Sequence, residues 1–284
     1  SIRLAGGHTC IPWSLGRFST VIPGIEKKRL VIVTANSKVG KTQIADYLYL
    51  YEPYEFITNN KTDLSLKIFY FSLEMSKEEK LKQAITHKIF KDSGKSISPQ
   101  NLDSVFKDRI LSDEDERLMD KYEAYFTEYE KVVHYIDNIR NPFGIYKYVR
   151  DYAYSHGHYV DINGNKMDHN DFSSHNDDIR NKALKSVHKY IADDPSEHVL
   201  IITDHLSLLQ PEKGEDLWSA MFKFSSDYCL SMRDRWRYTP INIQQQAADQ
   251  EKQQFTFKGD SIVEKIRPKP DGLADCKLTQ RDVN

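Results

Sequence analysis

Apolar and polar residues fall into blocks along this chain. Short, β-branched apolar runs are separated by longer stretches with helical periodicity. Leu30-Val31-Ile32-Val33-Thr34 is the first such run, and its continuity fits a central parallel strand buried on both faces. From Thr42 to about Tyr51 the pattern places Ile44, Ala45 and Leu48 on one helical face. A second strand is predicted at residues 67–73, Lys-Ile-Phe-Tyr-Phe-Ser-Leu. Ser76 with Glu79 three residues later is a capping-box pattern, so a helix is expected from about 77 to 91. Residues 98–130 read as helical and highly charged, residues 132–136 as a third strand, and residues 142–155 as a helix opened by Pro142.

The pattern breaks over residues 157–180. Asn and Asp crowd there with the turn Asn163-Gly164-Asn165, predicting a surface hairpin and an excursion. A helix over about 178–191 is expected next. Residues 198–204, His-Val-Leu-Ile-Ile-Thr-Asp, form the most apolar strand of the second half. A helix carrying Trp218, Met221, Phe222, Phe224 and Tyr228 follows, then a strand at 241–244 running into the polar stretch 245–254. The tail 264–284 is rich in Pro, Gly and Lys and reads mostly as loop. Strands alternating with helices predict an α/β fold: a mostly parallel, twisted sheet with helices on both faces. The whole chain, 1–284, reads as a single domain in which 92–197 is divergent and partly inserted.

Composition narrows the class. In 284 residues, 39% are hydrophobic and 29% charged, as in soluble globular proteins that bury a sizeable core. Lys+Arg 40 against Asp+Glu 42 leaves a net charge of −2, so any nucleic-acid contact must come from a local patch or from backbone amides. The three cysteines, Cys10, Cys229 and Cys276, are odd in number and widely spaced. They suit neither a disulfide framework nor a zinc site, and a reducing cytoplasm is the expected setting. No apolar run approaches the length of a membrane span.

Four elements carry candidate chemistry. The first is Ala35-Asn36-Ser37-Lys38-Val39-Gly40-Lys41-Thr42, between a buried strand and a helix. Successive N–H groups of such a turn, with the helix N-terminus, form an anion hole for a phosphate. Lys41 would reach the β- and γ-phosphates of ATP, and the Thr42 hydroxyl would ligate Mg2+. The usual pattern has Gly where this chain has Ala35, a modest departure if the local φ is negative. The second element is Asp204, which ends an apolar strand in the crevice where open α/β sheets bind ligands and can hold Mg2+ there. The third, Glu74, also ends a strand. It is placed either to accept a proton from an attacking water or to serve as an acid favoured at a helix N-terminus. The fourth is the run Gln244-Gln245-Gln246, where an amide can sense a γ-phosphate; on its own this is a polar loop.

Taken in order, these elements resemble the C-terminal, RecA-like P-loop ATPase domain of DnaB-type replicative helicases. Residues 35–42 resemble that family's phosphate loop. Phe71-Ser72-Leu73-Glu74-Met75-Ser76 is very similar to its Phe-Ser-Leu-Glu-Met-Ser signature, and Glu74 matches its catalytic glutamate. Residues 201–209 resemble its metal-binding strand, with Asp204 as the acid and His205 where the family usually has Tyr. Gln245 matches its sensor glutamine. Thr279-Gln280-Arg281-Asp282 and Phe224-Ser225-Ser226-Asp227-Tyr228 look like phage-borne members.

The resemblance implies hydrolysis of ATP with Mg2+, coupled to translocation on single-stranded DNA, in a homo-hexamer or other ring, in a cytoplasm (a bacterial host's, if phage-encoded). It also implies DNA contacts in the loops after two strands, at Lys213, Gly214, Lys252 and Lys258, with Phe255 and Phe257 nearby. The family's N-terminal domain, linker helix and C-terminal arginine finger are not visible in the sequence. Two other readings remain open: a recombinase-like DNA-binding ATPase, and a nucleotide-binding assembly or loader factor without turnover. The histidines His156, His158, His169 and His175 are irregularly spaced and read as solvated surface rather than a metal site.

Overall fold

A computed structural model describes residues 10–13, 15–103, 112–172 and 176–246. Cys10–Pro12 (β1) and Gly24–Glu26 (β2) pair as an antiparallel ribbon around the short helix Phe18–Val21 (α1). Val31–Ala35 (β3) leads into Lys41–Asp46 (α2), a π-helical turn at Tyr47–Tyr51, and Glu52–Asn59 (α3). Then come Ser65–Ser72 (β4), Lys77–Ser93 (α4), Asp113–Val132 (α5), Val133–Ile136 (β5), Pro142–Ser155 (α6) and Gly157–Val160 (β6). His169–Phe172 (α7), Asp177–Ser186 (α8), Lys189–Ala192 (β7) and Glu197–Asp204 (β8) follow. Leu217–Lys223 (α9), a π-helical turn at Phe224–Cys229, Leu230–Trp236 (α10) and Thr239–Gln245 (β9) complete the described chain.

The central sheet has five strands in the order β3-β9-β8-β4-β5, all parallel. Its strands are apolar without alternation because both faces are covered. On one face Ile68, Tyr70, Leu200, Ile202, Ile241 and Ile243 pack with Ala45, Leu50, Tyr54, Ala84 and Tyr129 of the helices after β3 and β4. On the other, Phe69, Phe71, Val199 and Ile201 pack with Ile145, Val149, Met221, Met232 and Trp236. Each such side chain, fully withdrawn from water, contributes about 1.5–3 kcal/mol. This is the expected parallel α/β architecture. Among the described residues no helix is long and apolar enough to cross a membrane.

Four elements differ from the sequence expectation. β3, expected as a central strand buried on both faces, is an edge strand of the described sheet and is only half-buried along its length. The helix expected at 42–51 extends to Asn59 by passing through a π-helical turn. There the Glu52 N–H bonds the Tyr47 carbonyl. The next bond in that pattern needs an N–H from Pro53, which has none. The Leu48 carbonyl is satisfied instead by the Trp13 indole N–H at 2.9 Å, which ties the N-terminal ribbon to the helix. The helical stretch 98–130 divides into a 3-10 turn at Pro99–Asp103 and α5, which Ser112 and Asp115 open with a capping box. The helix expected over 178–191 stops at Ser186, and Lys189–Ala192 is a strand. That strand pairs with β6, Gly157 opposite Ala192, while the expected turn at 161–165 folds back within 157–180 and sets Val160 opposite Lys166 in a single antiparallel bridge, so β6 takes part in both pairings. Burial of Tyr190, between the exposed Lys189 and Ile191, selects the strand, and its hydroxyl donates to the Ala153 carbonyl at 2.7 Å.

Candidate nucleotide site

The register of the sheet brings the ends of four strands to one edge. Ala35 lies opposite Gln245, and Asp204 lies opposite both Ser72 and Ile243. After Ala35, Ser72 and Asp204 the chain leaves the sheet into loop or helix start, so the edge is a crevice floored by strand ends. β3 runs into the loop 36–40 and α2 begins at Lys41. Gly40 is the N-cap of α2, with φ 89 and ψ 23, and it accepts the Ile44 N–H at 3.0 Å. A Cβ at Gly40 would come no nearer than 3.7 Å to the Gln43 side chain. The left-handed torsion, not crowding, therefore requires glycine. Lys38 also has a positive φ, 60, whereas Ala35 is not among the positive-φ residues. An alanine is thus tolerated where the usual pattern has glycine.

Asp204 is 3% exposed and sits at the centre of a polar cluster. Its Oδ1 accepts the Thr42 hydroxyl at 3.3 Å, and its Oδ2 accepts the Tyr70 hydroxyl at 2.9 Å. Tyr70 in turn accepts from the Lys80 ammonium at 2.9 Å, and Lys80 also donates to Asp46 at 2.6 Å. Lys80 is 0% exposed. Burial, with the carboxylates of Asp46 and Asp204 alongside, holds the Tyr70 phenol well above its ordinary range, so it remains a donor. Burial likewise raises the Asp46 carboxyl, and Lys80 opposes that shift. The Asp204–His205 peptide is cis.

Glu74 follows the last residue of β4 by two positions and is exposed. Its carboxylate lies 3.9 Å from the His205 Nε2. The two strands are tied behind it by the Leu73 N–H, which donates to the Asp204 carbonyl at 2.7 Å. Ser76 caps α4 through the reciprocal Ser76–Glu79 bonds, fixing where the helix after Glu74 begins. The β9 glutamines divide by the pleat. Ile241 and Ile243 share the face of Leu200 and Ile202, so Gln245 continues that row as Asp204 does. Gln244, 0% exposed, projects to the opposite face. Gln246 donates through Nε2 to the Thr34 hydroxyl at 2.9 Å.

The remaining predicted residues separate from this crevice. Lys213 and Gly214 form an exposed turn after β8, with Gly214 at φ 85. That turn is braced from behind: the Gln210 N–H donates to the Arg140 carbonyl at 3.0 Å and Asn141 Nδ2 donates to Glu212 at 2.6 Å. Lys252, Lys258, Phe255 and Phe257 lie outside the described residues. Among the described residues no three or more His, Cys, Asp or Glu side chains converge as a metal cage. His156 stacks on Tyr152 at 3.9 Å and His169 on Tyr154 at 4.7 Å, while His175 lies outside the described residues.

The donor set fits a hard divalent cation. Mg2+ takes oxygen ligands, and Thr42 and Asp204 offer a hydroxyl and a carboxylate side by side at the end of the loop 36–40. Sequence reasoning missed Tyr70, Lys80 and Asp46. Tyr70 stands in an apolar strand and reads as core, and Lys80 stands in the run Lys77-Glu78-Glu79-Lys80, which reads as a solvated helix start.

No family model matches the chain, and no curated protein matches it. Solved structures do. The ATPase domain of the protein G40P superposes with a TM-score of 0.62 at 16% identity, over 99% of this chain and 77% of that one. A DnaB-like replicative helicase, solved for its structure and its interactions with primase, gives 0.64 at 17% identity. That match covers 100% of this chain and 52% of the helicase, so the chain spans about half its length. The five-stranded parallel sheet, its flanking helices and the loop after β3 are those of the RecA-like fold in the ATPase domains of DnaB-like replicative helicases.

Proposed function

We propose that the chain is the motor domain of a DnaB-type DNA helicase, which hydrolyses Mg-ATP and moves on single-stranded DNA as part of a ring of copies. The observation that carries the reading is the Thr42 hydroxyl 3.3 Å from the Asp204 carboxylate at the strand ends of this fold, with Glu74 two residues past the end of the neighbouring strand.

The amides of residues 36–40 and the start of α2 hold the phosphates, and Lys41 neutralises the β- and γ-oxygens. Thr42 and Asp204 would hold Mg2+, which when bound offsets charge building on the phosphates. Glu74 accepts a proton from the attacking water, and its exposed position leaves its oxygens accessible to that water. His205, at 3.9 Å, is placed to orient the Glu74 carboxylate. Gln245, in the row of Asp204, senses the γ-phosphate. Lys213 and Gly214, in the exposed turn beyond β8, contact DNA phosphates, and Lys252 and Lys258 are proposed to join them.

The test is ATP hydrolysis with and without single-stranded DNA, run beside displacement of a labelled strand from a forked duplex. Hydrolysis that rises with DNA, together with displacement, is the expected result. Stimulated hydrolysis without displacement points to a recombinase-like ATPase. Nucleotide binding without turnover points to an assembly or loader factor, and either outcome overturns the helicase reading.

A further inference from the structure

One feature of the crevice is not needed to bind phosphate: a continuous buried chain of polar groups leading away from Asp204. Its direction follows from donor and acceptor inventories. An ammonium has only protons to give, a carboxylate only lone pairs, and a phenol has one proton. Lys80 therefore donates to both Asp46 and Tyr70, at 2.6 and 2.9 Å. The Tyr70 oxygen is then an acceptor toward Lys80, and its single proton is directed to Asp204 Oδ2 at 2.9 Å. The Asp204 Oδ1 is left for Thr42. The Lys80 ammonium also sits 4.3 Å from the centroid of the Tyr70 ring, which holds it against that ring.

The chain joins four elements, with Tyr70 in β4 at its middle. Asp46 ends α2, the helix of the phosphate loop; Lys80 lies in the first turn of α4, the helix after Glu74; Asp204 ends β8. Lys80, Tyr70, Asp46 and Asp204 are each no more than 3% exposed. A buried ion pair is a poor source of net stability, because desolvation offsets the attraction. Apolar side chains would fill the same space between α2 and α4 at no such cost. What the pair supplies that apolar packing does not is a fixed proton direction through Tyr70.

We propose that Tyr70 and Lys80 are positioning residues for the metal-binding acid: Lys80 fixes the Tyr70 hydroxyl, and Tyr70 clamps one oxygen of Asp204 so that the other faces Mg2+ beside Thr42. The inference rests on the proposed ATPase function. Groups hydrogen-bonded to a metal ligand typically change metal affinity about 10–100-fold when removed.

Lys80→Met alone would strand a buried Asp46 and threaten the fold. The decisive variant is therefore Tyr70→Phe, which keeps the ring and the ion pair, with the doubly neutral Lys80→Met/Asp46→Leu as its companion. The measurement is binding of a fluorescent ATP analogue to the full chain as Mg2+ is titrated, with kcat and the KM for Mg2+ followed in parallel. Tyr70→Phe is expected to need about tenfold more Mg2+ for half-maximal binding. Its Mg2+-free nucleotide affinity and its melting temperature should stay near those of the parent. The double variant keeps the Tyr70 bond to Asp204 but removes the ammonium that fixes the hydroxyl, so its Mg2+ requirement should rise less than that of Tyr70→Phe. If the parent binds nucleotide in a Mg2+-dependent way and Tyr70→Phe has an unchanged or lower Mg2+ requirement, the clamp is wrong and the proposed function stands. If the parent binds no nucleotide, both fall.

Discussion

The two ends of the central sheet handle polar groups in opposite ways. At the amino ends of the strands several polar groups lock one segment to another. Lys27 donates to the Pro195 carbonyl at 2.6 Å, Thr239 to the Glu26 carbonyl at 2.9 Å, and Tyr152 to Glu197 at 2.8 Å. Ser65 donates to Asp194 at 2.5 Å. At the carboxyl ends the chain from Lys80 to Asp204 stops at a carboxylate and a hydroxyl at the mouth of an open loop, with Glu74 exposed nearby. One end seals turns; the other holds oxygens ready for a ligand. Substitutions at the first should change stability and spare chemistry, and substitutions at the second should do the reverse.

The largest effect expected at the carboxyl end is on turnover. Glu74→Gln removes the proposed proton acceptor while keeping shape, and hydrolysis should fall about 10²–10⁴-fold with nucleotide binding retained. Glu74 is 62% exposed, so the melting temperature should barely move. A parallel loss of stability in this variant would break the contrast between the two ends.

At the amino end the largest expected effect is pH-dependent. His198 is 2% exposed, and burial, with Lys27 nearby, lowers its pKa from 6.5 to about 4. The unfolded chain therefore binds a proton between these values that the folded chain refuses. Stability is full above about pH 6.5 and declines as pH falls toward 4, by about 3 kcal/mol in all. Urea midpoints of the parent and of His198→Gln, compared at pH 7 and pH 4.5, should diverge in slope, the parent losing more. Equal slopes would mean His198 is not held neutral.

Smaller effects sharpen the same contrast. Gly40→Ala forces a side chain into a left-handed torsion at φ 89, a cost of about 1–2 kcal/mol borne by the phosphate loop. Nucleotide affinity should drop about tenfold, readable by titration. Tyr190→Phe removes the buried hydrogen bond to the Ala153 carbonyl and the hydroxyl's bond with Tyr238. About 1 kcal/mol of stability should be lost in a denaturant melt, with no change in hydrolysis.

Legibility in the sequence followed the same division. β4 and β8 are continuous apolar runs buried on both faces and β3 is a half-buried edge run, and Ala35, Glu74 and Asp204 stand at or just past their ends, so strand and candidate residue are read together. The parallel sheet and the helices capped by Ser76 and opened by Pro142 follow from local signals. β7 does not, because Lys189 to Ala192 becomes a strand only when β6, about thirty residues earlier, lies beside it. The π-helical turn before Pro53 depends on an indole from the N-terminal ribbon. The Lys80–Tyr70–Asp204 chain is least visible of all. Lys80 stands in a charged run and is buried only because α4 packs its first turn against α2 and the sheet.

The most direct measurement of the central claim is steady-state phosphate release from ATP by the parent chain and by Lys41→Ala, with Mg2+ present. Turnover by the parent that falls to background in Lys41→Ala is the predicted result, since Lys41 is the side chain proposed to reach the β- and γ-phosphates. Equal turnover by the two chains would contradict the account.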